Sequence, residues 1–172
     1  DTEEKIDAFL NVSKQKLGDP MTMKDMDKAI DIITKAIEEK KRIAVYGDYD
    51  VDGITAVCVI IKYLKSAGAD CDYYIPDRIT EGYGLNIEAI DSLKAQGVEL
   101  IITVDTGVTA IEETEYCKNA GIEIVITDHH ECKEILPNAG AVINPKQPGC
   151  NYEFKELAGV GVAFALVRAL DI

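Results

Sequence analysis

Three short segments of the chain concentrate acidic residues and histidines. Segment 47–53 reads Gly-Asp-Tyr-Asp-Val-Asp-Gly, segment 104–107 reads Val-Asp-Thr-Gly, and segment 127–130 reads Thr-Asp-His-His and contains both histidines of the protein. Carboxylate oxygens and imidazole nitrogens are ligands that divalent metal ions take in proteins. If the three segments meet, their carboxylates need cations, because like charges a few ångströms apart raise one another's pKa values. The residue types therefore predict a metal site.

The candidate ligands suit a pair of ions. Asp50 and Asp52, two positions apart, together with Asp105 and His129, supply ligands for both members of a pair, and Asp48 is a possible further ligand. A metal pair activates a water and neutralises a phosphoryl oxygen. Oxygen donors with an imidazole favour Mn²⁺, with Mg²⁺ as a substitute, over the thiolate-rich ligation of structural zinc. We therefore expect two Mn²⁺ or Mg²⁺ ions.

These residues also have ordinary structural interpretations. Asp48 and Asp105 could be helix caps or turn residues, and Asp52, which precedes Gly53, could belong to a simple turn. Cys132 lies near the histidines, but no second cysteine stands at metal-ligand spacing from it. The joint occurrence of three acidic segments, one of which holds both histidines, favours the metal site.

The elements that must position these residues follow from the pattern of apolar positions. Five short blocks rich in β-branched residues are predicted as strands, over 43–46, 71–75, 100–104, 122–126 and 141–143. Apolar residues at three- and four-residue spacing predict helices over 23–41, 54–65, 87–95, 111–119 and 162–170. Gly68, Gly97 and Gly121 are predicted to end three of these helices. A loop containing proline and glycine, 144–151, precedes the last helix.

This alternation predicts an α/β fold, an open, mainly parallel five-stranded sheet of Rossmann-like type with helices on both faces. In such a sheet, ligands bind outside the carboxyl ends of the strands. The three acidic segments follow the first, third and fourth predicted strands. We therefore expect their side chains to converge at one edge of the sheet.

The charge balance restricts the kind of surface that the chain can offer. It carries 31 Asp and Glu against 18 Lys and Arg in 172 residues, a formal net charge of −13. Residues 43–172 account for −12 of this net charge. A surface that follows a nucleic-acid backbone needs clustered Lys and Arg. The composition excludes such a basic surface on this chain, so any phosphate substrate must meet positive charge from another source.

Cysteine usage and hydropathy bear on the compartment. Five cysteines without a Cys-x-x-Cys pair indicate a reduced intracellular chain. No apolar run approaches the roughly 20 residues that span a bilayer, and the acidic N-terminus lacks the features of a signal peptide. We expect a cytoplasmic protein that needs no membrane and no organic cofactor.

The acidic segments resemble the first three signature motifs of the DHH phosphoesterase superfamily, the third motif being Asp128-His129-His130. Segments 75–85 and 157–163 are similar to stretches typical of the RecJ branch, the single-strand-specific 5′-to-3′ DNA exonucleases. The resemblance covers residues 40–172. It implies that Asp50 and Asp52 each bind one metal, that Asp105 bridges both, and that His129 binds the second.

The resemblance also implies roles for residues around the ions. His130 would lie close to the scissile phosphate, and Asp128 would orient the histidine segment. Arg78 would clamp a phosphate, because a guanidinium matches phosphate oxygens bidentately. The alternative for Arg78 is a surface ion pair with Asp77 or Glu81.

The same resemblance predicts the domain organisation. Residues 1–172 would form a DHH catalytic domain, with a helical lead-in over 1–42 and the motif-bearing sheet over 43–172. The family's fourth motif, an aspartate downstream of segment 158–161, and its companion C-terminal domain are not reached before Ile172. We expect the chain to be the N-terminal catalytic part of a larger nuclease.

The predicted reaction is hydrolysis of a phosphodiester by a hydroxide held between two metal ions, which would release 5′-mononucleotides from single-stranded DNA in recombination and repair. One alternative is a phosphodiesterase of the same superfamily that acts on short oligoribonucleotides or cyclic dinucleotides. A distant alternative is a receiver-type switch domain that uses Asp48, Asp50, Asp105, Thr127 and Lys146. An inactive scaffold used only for binding is a third.

Overall fold

The helices and strands alternate as the sequence pattern predicts. The structure, a computed structural model, describes residues 2, 3, 6, 10 and 17–171. The rest of the predicted lead-in before Leu17, and Ile172, lie outside the described residues. The elements are α1 (Met26–Glu38), β1 (Arg42–Gly47), α2 (Val51–Ser66), β2 (Cys71–Tyr74), α3 (Ile87–Ala95), β3 (Val98–Val104), α4 (Ile111–Ala120), β4 (Glu123–Thr127), β5 (Ala141–Ile143) and α5 (Gly159–Leu170), with a 3₁₀ turn at Pro20–Thr22 ahead of them.

The five strands form one parallel sheet in the order β2-β1-β3-β4-β5. The chain reverses its direction of travel across the sheet between β1 and β3, which is the position where ligands bind in sheets of this order. In the strand register, Gly47 lies opposite Val104, and Val104 lies opposite Thr127. The residue that follows each of these three is an aspartate, so the register alone places Asp48, Asp105 and Asp128 at one level.

Two apolar layers hold the helices against the sheet. On one face, α1, α2 and α5 pack on the strands around side chains such as Ile33, Ile60 and Leu166. On the other face, α3 and α4 pack around side chains such as Ile90 and Cys117. Strands covered on both faces are apolar along their whole length, and the five residues from Leu100 to Val104 are all buried. The predicted α/β class is confirmed.

Two helices begin earlier than apolar periodicity predicts, and both begin at the site. Helix α2 begins at Val51, three residues before the predicted start, because Oδ1 of Asp50 accepts hydrogen bonds from the backbone N–H groups of Asp52 and Gly53. Helix α5 begins at Gly159, again three residues before the predicted start. Aspartate and glycine interrupt the apolar spacing in these first turns, so periodicity misses them.

No helix within the described ranges combines the length and the apolar character needed to cross a membrane.

Candidate metal centre

Asp105 occupies the centre of the site, directly after β3, the middle strand of the sheet. Its side chain is buried, and its backbone lies in the left-handed region with φ 60°. Residues other than glycine rarely adopt this conformation, and when they do it is often at functional positions. The turn directs the aspartate to the carboxyl edge of the sheet, where the segments after β1 and β4 arrive.

The Asp105 carboxyl group is buried beside other carboxylates. Oδ1 has no hydrogen-bond partner within the described part of the chain. Burial, followed by the nearby carboxylates of Asp52 and Asp50, raises the pKa of Asp105 to about 7. A buried carboxylate without a partner is costly, so the arrangement favours a cation at this oxygen.

Asp48 and Asp50 bring two more carboxylates to Asp105. Ligand oxygens of these three residues all lie within 4.8 Å of one another. Asp48 is buried, its Oδ1 also lacks a hydrogen-bond partner among the described residues, and burial raises its pKa with a further contribution from Asp50. Gly53 lets helix α2 start against this turn, because a Cβ there would lie 2.5 Å from the backbone oxygen of Asp48.

Asp105 also belongs to a second group of metal-ligand atoms. Ligand atoms of Asp105, His129 and His130 also lie within 4.8 Å of one another. His129 Nε2 is 3.1 Å from Asp105 Oδ1, yet this oxygen accepts no hydrogen bond within the described chain. Two metal-ligand atoms that lie close together without a hydrogen bond between them are expected where both bind the same cation. Asp105 therefore belongs to both groups.

Asp128 holds the histidine segment in place through hydrogen bonds. It is buried, and its carboxylate accepts hydrogen bonds from the backbone N–H groups of Val108, His129 and His130 at 2.7–3.1 Å. Its Oδ1 also lies 2.7 Å from His130 Nδ1. Burial alone would raise the pKa of Asp128, but the hydrogen bonds from His130 and Val108 hold it below the ordinary value.

His130 is positioned by the same carboxylate. The hydrogen bond to Asp128 raises the pKa of His130. Because Nδ1 faces Asp128, Nε2 is the ring nitrogen left for a ligand or substrate. Asn144 donates to the His130 carbonyl oxygen at 2.9 Å and ties this segment to the loop after β5.

Asp52 lies at the edge of the site and is engaged elsewhere. Its Oδ2 accepts from the Gly159 N–H at 2.7 Å and its Oδ1 from the Val160 N–H at 2.7 Å, so it caps helix α5. His129 Nε2 is 3.7 Å from Asp52 Oδ2. Among the predicted ligands, the structure thus brings together Asp48, Asp50, Asp105 and His129, and directs Asp52 to a helix N-terminus.

The donor set fits divalent Mn²⁺ or Mg²⁺. It consists of carboxylate oxygens with imidazole nitrogen and contains no thiolate, which is the chemistry that these ions take. Two of its buried oxygens, on Asp48 and Asp105, have no other partner in the described residues. The residues present therefore match the ions that the sequence predicts.

Arg78 lies on the exposed loop between β2 and α3, beside the Asp48–Asp52 segment. Its guanidinium carbon stands 5.2 Å from the centre of the Tyr49 ring, a cation–π contact. The alternative ion pair with Asp77 or Glu81 does not form among the described residues, because both carboxylates accept hydrogen bonds from the loop itself. The donors of Arg78 are therefore available to a phosphate.

Two residues at the site were not assigned roles from sequence. The Tyr83 hydroxyl lies 3.4 Å from His130 Nδ1 and 3.3 Å from the carbonyl oxygen of Asp105. Gly159 lies so close to Asp105 that a Cβ there would stand 2.5 Å from Oδ1. Both stand in the RecJ-like segments, and that resemblance is the only signal that marks them in the sequence.

A receiver-type switch also needs Thr127 and Lys146, and both of these side chains are engaged elsewhere. Thr127 Oγ1 is buried and donates to the Thr103 carbonyl oxygen at 2.7 Å. Lys146 forms ion pairs with Glu131 at 2.9 Å and with Glu156 at 3.8 Å. Neither side chain is positioned to serve a phosphorylated aspartate.

Comparison with known proteins agrees with the geometry of the site. Residues 42–171 match the model of the DHH family, N-terminal domain. The single-stranded-DNA-specific exonuclease RecJ of Bacillus subtilis (strain 168) is 49% identical over 170 residues, which are 99% of this chain and 22% of the relative.

Two solved structures share the fold at appreciable identity. Exonuclease RecJ bound to manganese superposes with a TM-score of 0.79 at 34% identity and covers 86% of this chain and 37% of that one. RecJ from Thermus thermophilus in complex with Mn²⁺ gives a TM-score of 0.72 at 32% identity and covers 86% of this chain and 21% of that one. The chain thus spans only a minor part of the length of the proteins that it resembles.

Proposed function

Because this chain belongs to the DHH family, we propose that it carries the catalytic metal centre of an exonuclease that hydrolyses single-stranded DNA from its 5′ end. One observation carries the proposal: Asp105, with an unpartnered buried oxygen among the described residues, is common to two groups of metal-ligand atoms. The similarity to RecJ proteins named as single-stranded-DNA-specific exonucleases supplies the substrate class.

The proposed ligands divide into two sets around Asp105. Asp48 and Asp50 would bind one ion with Asp105, and His129 would bind the other. Asp52 would be a further ligand at the edge of the site, since each of its oxygens accepts one hydrogen bond from helix α5 and keeps a second lone pair. Two Mn²⁺ ions, or Mg²⁺ in their place, would supply an activated water and offset charge on the phosphoryl oxygens.

Side chains around the ligands would orient the phosphodiester. Arg78 would donate to phosphate oxygens from its position over Tyr49. His130, whose Nδ1 is held by Asp128, would present Nε2 to the scissile phosphate or its leaving oxygen. Tyr83 would limit the rotation of this ring, since its hydroxyl lies beside Nδ1.

The biological setting follows from the RecJ relatives and is part of the proposal. Release of 5′-mononucleotides from single strands would serve DNA recombination and repair, in the cytoplasm, without an organic cofactor. The domain division is also proposed: a lead-in over 1–42 and a catalytic sheet over 43–172, followed in the gene product by a fourth-motif aspartate and a companion C-terminal domain.

A comparison of substrates tests the function. The complete gene product that carries residues 1–172 is incubated with Mn²⁺ and either a long 5′-phosphorylated single strand or a dinucleotide. We expect 5′-mononucleotides from the long strand, and none with EDTA or from Asp105→Asn. Hydrolysis confined to the dinucleotide would favour the oligoribonucleotide or cyclic-dinucleotide alternative. Labelling of Asp105 by acetyl phosphate, with no hydrolysis, would favour the receiver alternative.

A further inference from the structure

The loop over 75–86 connects β2 to α3 and carries Arg78, which stacks on Tyr49 in the Asp48–Asp52 segment, and Tyr83, whose hydroxyl lies beside His130. A loop of this length without helix or strand needs side-chain or tertiary contacts to hold one conformation. Both ends of the loop are anchored, by β2 and by the Asn86 cap of α3, whose Oδ1 accepts from the Ala89 N–H at 2.7 Å. The contacts in its middle decide where Arg78 and Tyr83 stand.

Glu81 makes the central contacts of this loop. Its Oε1 accepts a short hydrogen bond from the Tyr74 hydroxyl, and its Oε2 accepts from the Asp77 N–H at 2.7 Å. Asn86 Nδ2 lies 3.4 Å from Oε1. One carboxylate thus joins the end of β2, the start of the loop and the cap of α3.

A pair of tyrosines forms the platform beneath Glu81. Tyr46 of β1 and Tyr74 of β2 are opposite each other in the sheet, and their rings stack with centroids 5.1 Å apart. The Tyr46 hydroxyl donates to the Gly84 carbonyl oxygen at 3.0 Å, while the Tyr74 hydroxyl donates to Glu81. The two strands therefore hold the loop at two points, one on each side of Tyr83.

The ionisation of these groups agrees with the contacts. The hydrogen bond from Tyr74, followed by that from the Asp77 N–H, lowers the pKa of Glu81. Burial, followed by the hydrogen bond to Glu81, raises the pKa of Tyr74 to about 12. At neutral pH the pair is therefore a carboxylate that accepts from a neutral phenol, which is a strong hydrogen bond.

We propose that Glu81 is a positioning residue: through Tyr74 and the Asp77 N–H it holds loop 75–86 in the conformation that presents Arg78 and Tyr83 to the substrate. The inference rests on the proposed function for its effect on catalysis. Its structural part, the anchoring of the loop, stands on the hydrogen bonds alone. Glu81 does not touch the proposed ligands and acts only through the loop.

Glu81→Gln and Tyr74→Phe are the direct variants. Gln keeps the shape of Glu81 but accepts at one end only, and Phe keeps the ring stack but removes the donor. Glu88→Gln and Tyr73→Phe are the matched controls, because both residues are exposed and their side-chain polar atoms make no hydrogen bond or ion pair within the described chain.

The kinetic test uses the complete gene product and a 5′-phosphorylated single strand. We expect Glu81→Gln to raise KM about tenfold, the equivalent of one hydrogen bond to a charged group, with kcat within about twofold and an unchanged Tm. In an Arg78→Ala background the same substitution should raise KM by much less, because Arg78, the phosphate-binding residue through which it acts, is gone and only Tyr83 is left to respond. An equal effect in both backgrounds, or none in the wild type, would overturn the proposal.

The structural test needs no activity. Trypsin can cleave the exposed Arg78–Ile79 bond only when the loop opens, so cleavage reports local stability. We expect Glu81→Gln and Tyr74→Phe to speed this cleavage several-fold, with the double variant no faster than either alone, and the two controls to match the wild type. Unchanged cleavage would overturn the anchoring role. Absence of DNA hydrolysis by the wild type would refute the proposed function. Trypsin cleavage would then still test whether Glu81 anchors the loop.

Discussion

The backbone N–H of Gly159 donates to Asp52 Oδ2 at 2.7 Å, between residues 107 positions apart in the chain. The contact joins the start of α2 to the start of α5, and the next N–H, that of Val160, donates to the other oxygen of the same carboxylate. Asp50 caps α2 only two residues earlier. Two neighbouring aspartates thus cap two different helices, and one of them also lies among the metal-ligand atoms.

Isosteric changes at these two aspartates should have different effects. Asn caps a helix about as well as Asp, so Asp50→Asn should leave the Tm nearly unchanged but weaken Mn²⁺ binding at least about tenfold, as the loss of a ligand charge requires. Asp52→Asn can accept only one of its two N–H groups, and should cost about 1–2 kcal/mol of folding free energy with a smaller loss of Mn²⁺ affinity. Thermal melts and calorimetric titration with Mn²⁺ measure both. The reverse order of Mn²⁺ affinities would identify Asp52 as the ligand.

Two glycines in the first turn of α5, Gly159 and Gly161, allow a second matched comparison of variants. Ala normally stabilises a helix relative to Gly by about 0.5–1 kcal/mol. At Gly159, however, a Cβ would lie 2.5 Å from Asp105 Oδ1, whereas at Gly161 it would meet the flexible Leu157 side chain at 3.1 Å. Gly159→Ala should therefore destabilise the fold by roughly 2 kcal/mol or more and weaken Mn²⁺ binding. Gly161→Ala should be close to neutral in urea unfolding, and similar losses for both variants would contradict the close approach seen at Gly159.

Removal of Asp105 should abolish metal-dependent chemistry. Asp105→Asn keeps the size of the side chain and removes the charge common to both donor groups. We expect Mn²⁺ titration to show loss of high-affinity binding and exonuclease activity below a few per cent of wild type. Asp31→Asn, an exposed aspartate on α1, is the control for the change in net charge. Substantial residual activity would remove Asp105 from its central role.

The pH dependence of stability without metal should carry the signature of Asp105. Its folded pKa of about 7 lies above the value of an exposed aspartate, 3.8. The folded state therefore binds the proton more tightly, so its stability is greatest at low pH and falls as pH rises from about 4 to about 7. In EDTA, the Tm of the wild type should fall more steeply than that of Asp105→Asn over this range. Differences of about 1 kcal/mol are measurable, since each shifts the Tm by roughly 2–4 °C at this size.

The increase in Tm on adding Mn²⁺ should also depend on pH. Protons and metal compete for the same carboxylate, so the rise in Tm caused by Mn²⁺ should be larger at pH 8 than at pH 5.5. A rise of equal size at both pH values would indicate that the ion binds away from Asp105.

The sequence predicts the sheet, and the convergence of the candidate ligands at one edge of it, from patterns that are local along the chain. Strand blocks such as 100–104 are apolar throughout, which is what burial on both faces requires. The order of strands then brings the ends of β1, β3 and β4 together. The residues that follow these strands could therefore be named without coordinates.

The division of work among the aspartates could not be predicted from sequence. Asp48, Asp50 and Asp52 alternate in one short segment, and nothing in their local pattern separates them. The separation arises from α5, whose N-terminus docks on Asp52 after a long excursion of the chain. Contacts between segments that are distant in the sequence decide such roles. The stacked rings of Tyr46 and Tyr74, which hold loop 75–86, are a second contact of this kind.

The strand order has a consequence for the folding of the molecule. Asp50, Asp105 and His129 follow three different strands, and β3 must pair with both β1 and β4 before the three can meet. Sequence-distant pairings of this kind form late, because they close long loops. A nascent or unfolded chain therefore offers separate, weak carboxylates, and tight capture of a cation would report that the central strands have assembled in the correct order.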